Sequence, residues 1–427
     1  MRTRTLSRHG VNNMFTRWML IPLPLCLAGV AGLVQAAPLT FSDALKVAEQ
    51  QSPALTASAA NLRSAQSAAI PAGALPDPKL IAGVENYPVS GDTRWALERD
   101  FMTMQKIGIM QEVPNGDKRR ARVEVADARS VLAQKQQQVS LLEVRRGTAL
   151  AWLDRYYLEK KLALFDQLDQ ENRLLADTVR AQVASGKGQP ADAVMAEQEQ
   201  ADLADRRDGL TRDIAMAIAS LRRYVGADAD DPLPGDAPAL AVDPERYRAH
   251  LHHHPEVELF AAKSGEARAE LHEAQAEKKP DWGVELAYQR RGPQFGNMVS
   301  VQFTIGLPIF SKSRQDPMIA SKAADLERAD AERDAMLRDH LNELDNGLAE
   351  YTSLTRQLDR VNQTWLPLAR QKVDLLTAGY RSGRTDMGTV LAARRDLIER
   401  RMKAIDLENQ RAQIAAKLYF TYGGDEQ

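Results

Sequence analysis

The sequence predicts a mainly α-helical chain with a membrane β-barrel part, in which duplicated long-helix hairpins carry four β-strands. Three observations predict this fold. Two helical patterns run through residues 116–184 and from about residue 316 to residue 381. Four shorter segments alternate apolar and polar residues with the period of a half-exposed strand. Landmarks of the first half then recur in the second half at one offset, as expected for an internal repeat.

The composition favours long helices over a compact enzyme. The chain has 427 residues, a net charge of −2, 6% aromatic residues and 27% charged residues. This near-neutral balance gives no electrostatic case for binding nucleic acid. The sequence holds no phosphate-binding glycine loop, zinc-protease motif or nucleophile elbow. We therefore expect a protein that is not an enzyme and needs no cofactor.

Residues 1–36 have the pattern of a secretory signal peptide. Arginines precede an apolar run from Trp18 to Val34, and Val34-Gln35-Ala36 fits the small-residue cleavage rule. The single cysteine, Cys26, lies within that run, so the mature chain should contain none. No later segment has the ~18 unbroken apolar residues of a membrane helix. Any membrane crossing must therefore use strands.

The first repeat is predicted to span residues 37–226. It consists of a helix, strands at 79–89 and 101–113, a long helix and a short helix. The long helix should end at Ser185-Gly186, because Gly186 can adopt the left-handed turn. A linker rich in Asp, Pro and Ala follows at 227–243.

The second repeat, residues 244–427, follows the same plan. Its strands are predicted at 281–291 and 297–308, and its long helix should end at Ser382-Gly383, where Gly383 takes the turn. This long helix carries a heptad-like seam, which is typical of helices packed lengthwise. The seam residues are Leu337, Leu341, Leu344, Leu348, Tyr351, Leu354, Leu358, Val361, Trp365 and Leu368.

The strand pattern decides the membrane prediction. One face of the 297–308 strand is apolar and consists of Val299, Val301, Phe303, Ile305 and Leu307. Strands of about ten residues with one apolar face suit a tilted bilayer crossing. Open sheet edges cannot exist in lipid. Four strands are too few to enclose a lumen, whereas three protomers would close a 12-stranded barrel. The alternative is a soluble β-domain packed on helices.

The plan of the chain and three short motifs resemble the TolC family of outer-membrane efflux proteins. The motifs are Gln111-Glu112-Val113-Pro114, Gly306-Leu307-Pro308-Ile309-Phe310-Ser311, and Ala378-Gly379-Tyr380-Arg381-Ser382-Gly383 before Val390-Leu391. The resemblance covers nearly all of the mature chain. It implies a homotrimer with a 12-stranded barrel in outer-membrane lipid and a long periplasmic α-barrel tunnel. It also implies two partners, a periplasmic membrane-fusion adaptor and an inner-membrane pump.

Within the family, the sequence is most similar to ducts of heavy-metal pumps of the RND class. The run from Gly91-Asp92-Thr93-Arg94 to Asp117-Lys118-Arg119 suggests the copper/silver branch. The implied function is an outer-membrane channel that exports Cu(I)/Ag(I) or divalent Co/Zn/Cd. Two alternatives stay open. One is an exit duct for organic drugs or a secreted protein, and the other is a periplasmic coiled-coil adaptor without a pore.

Two groups of side chains have the chemistry of transition-metal ligands. The first group is a histidine cluster of His250, His252, His253 and His254, which equally fits a solvated helix end. The second group consists of Met102, Met104 and Met110, whose thioethers suit Cu(I) or Ag(I). The alternative for these methionines is a lipid-facing or loop position.

Charged residues just beyond the two Ser-Gly turns are candidates for a periplasmic gate. Asp192 and Asp386 would form rings of carboxylates in a trimer, and such rings attract cations at a constriction. Each aspartate could also cap the helix that follows it. Arg384 and Arg381 could pair with acidic groups and lock the mouth, with an ordinary solvated turn as the alternative.

Overall fold

The computed structural model describes residues 38–423 of the chain. The signal peptide predicted for residues 1–36 lies outside the described residues. Within the described segment, no helix is both long enough and apolar enough to cross a bilayer.

Helices make up most of the described segment. They are α1 (Phe41–Gln51), α2 (Pro53–Ala69), α3 (Gly116–Ala184), α4 (Pro190–Val225), α5 (Pro244–His250), α6 (Pro255–Ala276), α7 (Gln315–Arg360), α8 (Leu366–Arg381) and α9 (Met387–Tyr422). Helix α3 has 69 residues and extends for about 100 Å. Its bounds agree with the predicted helix at 116–184. It begins where the Asn115 side chain accepts the Asp117 N–H at 2.9 Å, and Gly186 turns the chain at a φ of 74°.

The leading helix of each half is broken at a residue that precedes proline, where the sequence predicted one continuous helix. Proline lacks an N–H and forces the residue before it into extended backbone. Ser52 and His254 occupy these positions and cap the next helix. The Ser52 hydroxyl accepts the Leu55 N–H at 3.4 Å, and His254 Nδ1 accepts the Glu256 N–H at 3.2 Å.

The second long helix is also interrupted. A π-helical turn at Val361–Trp365 separates α7 from α8. Pro367 lies in the first turn of α8 and cannot donate the regular backbone hydrogen bond. The wider turn accommodates this missing donor, since π turns are one of the ways in which a helix absorbs a local defect.

The predicted seam of the second long helix divides between two environments. Leu344, Leu348, Leu354 and Leu358 are buried against α9, as the heptad pattern predicts. Leu341, Trp365 and Leu368 are exposed. The apolar residues therefore cover more of the helix surface than packing within one protomer requires.

The largest buried cluster surrounds Trp152 of α3. Its indole is fully buried, lies edge-on to Phe41 at a centroid distance of 5.4 Å and stacks on Tyr156 at 5.3 Å. The indole N–H donates to the Leu39 carbonyl at 3.0 Å. Leu221 of α4 packs in the same cluster. This cluster fixes α1 and α4 against the long helix.

The four strands form one antiparallel sheet in the order β1-β2-β3-β4. They are β1 (Lys79–Glu85), β2 (Met104–Val113), β3 (Trp282–Arg290) and β4 (Met298–Ile305). Each lies within a predicted strand and is shorter than it. Strand β1 ends early because Asn86 adopts a φ of 53°. The Thr103 hydroxyl bonds to the Asn86 carbonyl at 3.0 Å, and β2 begins at the next residue.

Candidate functional site

One face of the sheet is apolar and exposed. The cross-strand register places Leu80, Ile109, Leu286 and Val301 in one row across all four strands. Leu286 is 56% exposed, and Phe303, further along β4, is 69% exposed. A continuous apolar surface of this kind is costly in water and needs a partner or lipid.

Aromatic side chains lie at both ends of this apolar face. Trp282 begins β3 at one end, and Phe310 follows β4 at the same end. Tyr87 and Trp95 pack together in the β1–β2 loop at the other end, with ring centroids 5.9 Å apart. All four rings are exposed. Two aromatic bands that flank an apolar band are typical of strands that cross a membrane.

The opposite face of the sheet carries a charged cluster. Lys106 Nζ lies 2.6 Å from Glu285 Oε1 and 2.9 Å from Glu85 Oε1, so one ammonium group joins three strands. Gln289 Nε2 lies 3.4 Å from the Glu85 carboxylate and from the Ser300 hydroxyl. Further along the same face, Lys79 pairs with Glu112. Within the strands, this face therefore holds two lysines and three glutamates.

The two outer strands each leave one edge unpaired within the described protomer. Strand β1 pairs only with β2, and β4 pairs only with β3. Such edges present rows of free N–H and C=O groups. An apolar sheet with two free edges is therefore incomplete as a membrane-crossing element.

The two Ser-Gly turns have matching geometry. Gly186 and Gly383 adopt φ angles of 74° and 73°. The Ser185 and Ser382 hydroxyls each donate at 3.0 Å to the carbonyl three residues earlier. The glycines meet the left-handed requirement that the sequence predicts for these turns.

The gate candidate Asp192 connects the two turns. It is the third residue of α4 and accepts the Gln189 N–H at 3.2 Å, so it closes a capping box rather than forming the N-cap itself. Its carboxylate also accepts the Tyr380 hydroxyl at 3.2 Å. Burial and the nearby Asp192 carboxylate raise the pKa of Tyr380. This hydrogen bond joins the end of α8 to the start of α4.

The second aspartate of the mouth, Asp386, is the N-cap of α9. It accepts the Thr389 N–H at 2.9 Å and the Thr389 hydroxyl at 2.7 Å, and these bonds lower its pKa. Arg384 Nε donates to the Ser382 hydroxyl at 3.0 Å within its own turn. Among residues 38–423, neither Arg384 nor Arg381 forms an ion pair. The arginines therefore provide no lock within a single protomer.

The histidine cluster is divided in the fold. His252 and His253 are exposed, and His250 Nδ1 lies 2.8 Å from the Arg246 carbonyl. His254 points inward and is buried beside His340 of α7, with ring centroids 4.0 Å apart. Burial, and secondarily His340, lower the pKa of His254 to about 4, so its imidazole is neutral at pH 7.

The methionine group is also divided. Met102 lies in the loop before β2, and Met104 and Met110 lie on the polar face of β2. Met104 and Met110 are six positions apart, which corresponds to about 20 Å along a strand. The methionines therefore do not converge on one site within the protomer.

Comparison with known proteins identifies the fold. Residues 247–424 match the family model described as outer membrane efflux protein. These residues are an outer membrane efflux protein domain. The match confirms the TolC-type recognition that was based on sequence motifs. It also favours an outer-membrane channel over the alternative of a pore-free periplasmic adaptor.

Similar proteins extend the match along the chain. It is 26% identical to the cobalt-zinc-cadmium resistance protein CzcC of Cupriavidus metallidurans over 396 residues, or 90% of each chain. The outer membrane protein VceC of Vibrio cholerae matches with a TM-score of 0.77 and 20% identity, over 91% of this chain and 97% of that one. CusC matches with a TM-score of 0.75 and 15% identity, over 92% and 94%. These structures confirm the predicted fold class, a helical tunnel with a barrel part.

The sequence alone did not predict two features of the site. The Lys106 cluster depends on the register between β2 and β3. The bond from Tyr380 to Asp192 depends on the two turns lying side by side. In both cases the sequence contains the charged and polar residues, but only the tertiary fold shows which of them pair.

Proposed function

We propose that this protein is the outer-membrane duct of a tripartite RND efflux system that exports heavy-metal cations, either Cu(I)/Ag(I) or divalent Co, Zn and Cd. It would act as a homotrimer with a periplasmic membrane-fusion adaptor and an inner-membrane pump. The likeness to CzcC, a cobalt-zinc-cadmium resistance protein, along 90% of both chains carries the choice of cargo.

The free edges of the sheet support assembly into a ring. In lipid, every backbone group must be paired, so β1 of one copy must pair with β4 of the next. Three copies would give a 12-stranded barrel with the apolar face towards lipid and the Lys106 face towards the lumen. Because two lysines and three glutamates line that face, each copy adds one net negative charge. A negatively charged lumen favours the passage of cations.

Deletion of the gene, followed by complementation, tests the cargo. We expect the deletion strain to tolerate lower concentrations of the exported metals and to keep its tolerance to organic drugs. Loss of drug tolerance alone would instead support the drug duct. Conductance of the purified protein in planar bilayers is the companion test, since a duct must pass ions. A protein without conductance would contradict the proposal that this chain forms a duct, whatever its cargo.

The bond between Tyr380 and Asp192 is proposed to hold the periplasmic mouth closed. Tyr380→Phe removes a hydrogen bond whose net contribution is about 0.5–1.5 kcal/mol. Since about 1.4 kcal/mol corresponds to a tenfold change in an equilibrium, the open population should rise several-fold. Single-channel recording measures this population as open probability.

A matched control for this gate prediction is Tyr156→Phe. It removes a bond of similar type, from the Tyr156 hydroxyl to the Gly235 carbonyl at 2.8 Å, far from both turns in the sequence. Equal open probabilities for the two variants would show that the Tyr380 bond has no specific role in gating.

A further inference from the structure

A buried cluster of metal-ligand side chains lies where α6, α7 and α9 meet. Among the described residues, His254, Glu256 and His340 bring one ligand atom each to within 4.8 Å of one another. His254 is 3% exposed and His340 is 4% exposed. His340 Nε2 lies 3.2 Å from the Glu256 carboxylate, and Tyr422 of α9 packs against both histidine rings.

The hydrogen bonds of this cluster leave one buried ring nitrogen, His254 Nε2, without a partner. His254 Nδ1 accepts the Glu256 N–H, so its Nε2 carries the proton of the neutral ring, and this buried atom has no hydrogen-bond partner. Tyr422 donates to the His340 carbonyl at 3.3 Å, and its oxygen also lies 3.4 Å from His340 Nδ1. His340 Nε2 faces the Glu256 carboxylate at 3.2 Å.

The cluster offers a cation three ligand atoms. His254 Nε2 is a buried polar atom without a partner, which is destabilising. The contact between His340 and Glu256 does not provide that partner. A divalent ion accepts all three groups as ligands at once.

We propose that His254, Glu256 and His340 form a resident site for a divalent first-row transition ion of the Zn²⁺ or Co²⁺ type. Two imidazoles and one carboxylate are a set that zinc accepts, with a fourth position for water. Binding through His254 Nε2 moves the ring proton to Nδ1 and exchanges the long bond from the Glu256 amide for a metal bond. The Tyr422 hydroxyl positions His340 through Nδ1, as outer partners of metal-bound histidines commonly do.

Burial separates this site from the export path. Two of its ligands are almost fully buried between helices, so a bound ion would join the start of α6 to α7 and would not be in transit. The surrounding charges are mixed. Glu343 lies 4.0 Å from His340 Nδ1 and pairs with Lys417, while Arg146 is the positive group that opposes a bound cation. The site is independent of the exported cargo, and its test does not require transport.

The test uses the purified full-length protein in detergent, stripped of metal with a chelator and titrated with Zn²⁺ or Co²⁺. We expect one ion per chain by calorimetry, a visible Co²⁺ spectrum of low coordination number, and a Tm that rises with Zn²⁺ concentration. Glu256→Gln and His340→Gln should each weaken binding at least tenfold. Tyr422→Phe should weaken binding by about 10–100-fold, as losing an outer partner does.

The control is His252→Gln, which removes an exposed histidine two residues from His254 and should bind as the wild type does. Far-UV circular dichroism and the Tm of each metal-free variant show whether it folds. If a His340 variant fails to fold, the wild-type titration still decides. No stoichiometric binding by the wild type, or binding lost in His252→Gln and kept in Glu256→Gln, would overturn the proposal.

Discussion

Gly108→Val should abolish assembly of the protein in the outer membrane. A Cβ atom at Gly108 would lie 2.8 Å from Ala287 Cβ, 2.8 Å from the Leu286 carbonyl oxygen and 3.0 Å from Ala287 Cα. Two of these atoms belong to the backbone of the neighbouring strand, so a rotamer change cannot relieve the clash. Strand β2 would have to move away from β3, where Gly108 and Ala287 are paired.

The expected loss is large because the β2–β3 pairing joins the two hairpins of the sheet. Overpacking alone typically costs about 1–3 kcal/mol, and here ladder hydrogen bonds are lost as well. We expect the yield of oligomer that survives mild detergent to fall at least tenfold from wild type. Membrane fractionation and size-exclusion chromatography measure this yield.

Gly83→Val provides the matched control for this prediction. Gly83 lies in β1, on the same face of the sheet as Gly108, and is paired with Lys106. A Cβ atom at Gly83 meets nothing within 4 Å. The control should assemble at nearly the wild-type level. Equal assembly of the two valine variants would mean that the pairing between Gly108 and Ala287 is wrong.

Trp152→Ala should produce the largest loss of folding stability in the helical part. The indole is fully buried, and its removal leaves a cavity beside Phe41 and Tyr156 and an unpaired Leu39 carbonyl. Substituting a buried tryptophan by alanine costs about 3–5 kcal/mol. Urea unfolding of the detergent-solubilised protein, followed by far-UV circular dichroism, measures the change.

Trp365→Ala tests whether the loss of stability in Trp152→Ala arises from burial of the indole. Trp365 is 45% exposed and contacts Arg400, whose guanidinium carbon lies 4.2 Å from the ring centroid. A partly exposed cation–π pair contributes about 0.5–1 kcal/mol, so this variant should be only slightly destabilised. Equal midpoints for the two alanine variants would contradict the assigned core.

The sequence predicted the long elements because their ends carry local signals. Helix α3 begins at a capping asparagine and ends at a glycine that can adopt a positive φ, and both signals can be read from neighbouring residues. The strand faces were equally predictable, since period-2 alternation places Val301 and Phe303 on one side. The family resemblance then added the periplasmic tunnel.

The remaining features required contacts between residues far apart in the chain. The four clustered histidines suggested one metal site, whereas the fold pairs only His254 with His340, which lies on a different helix. The helix breaks at Ser52 and His254 were not predicted, because a proline after a capping residue can either kink a helix or end it. The division into two repeats and the gate roles of Asp192, Asp386 and Arg384 stay predictions.

The even number of strands has a consequence for how copies join. In a four-strand meander, β4 runs antiparallel to the β1 strand that a neighbouring copy would present, so a closed ring needs no parallel seam. Every seam is then the same head-to-tail contact, and the stoichiometry is set by curvature alone. A subunit that pairs at one edge but not at the other enters the ring and leaves a seam open, so such a chain should have a dominant-negative effect in a cell that also makes the intact protein.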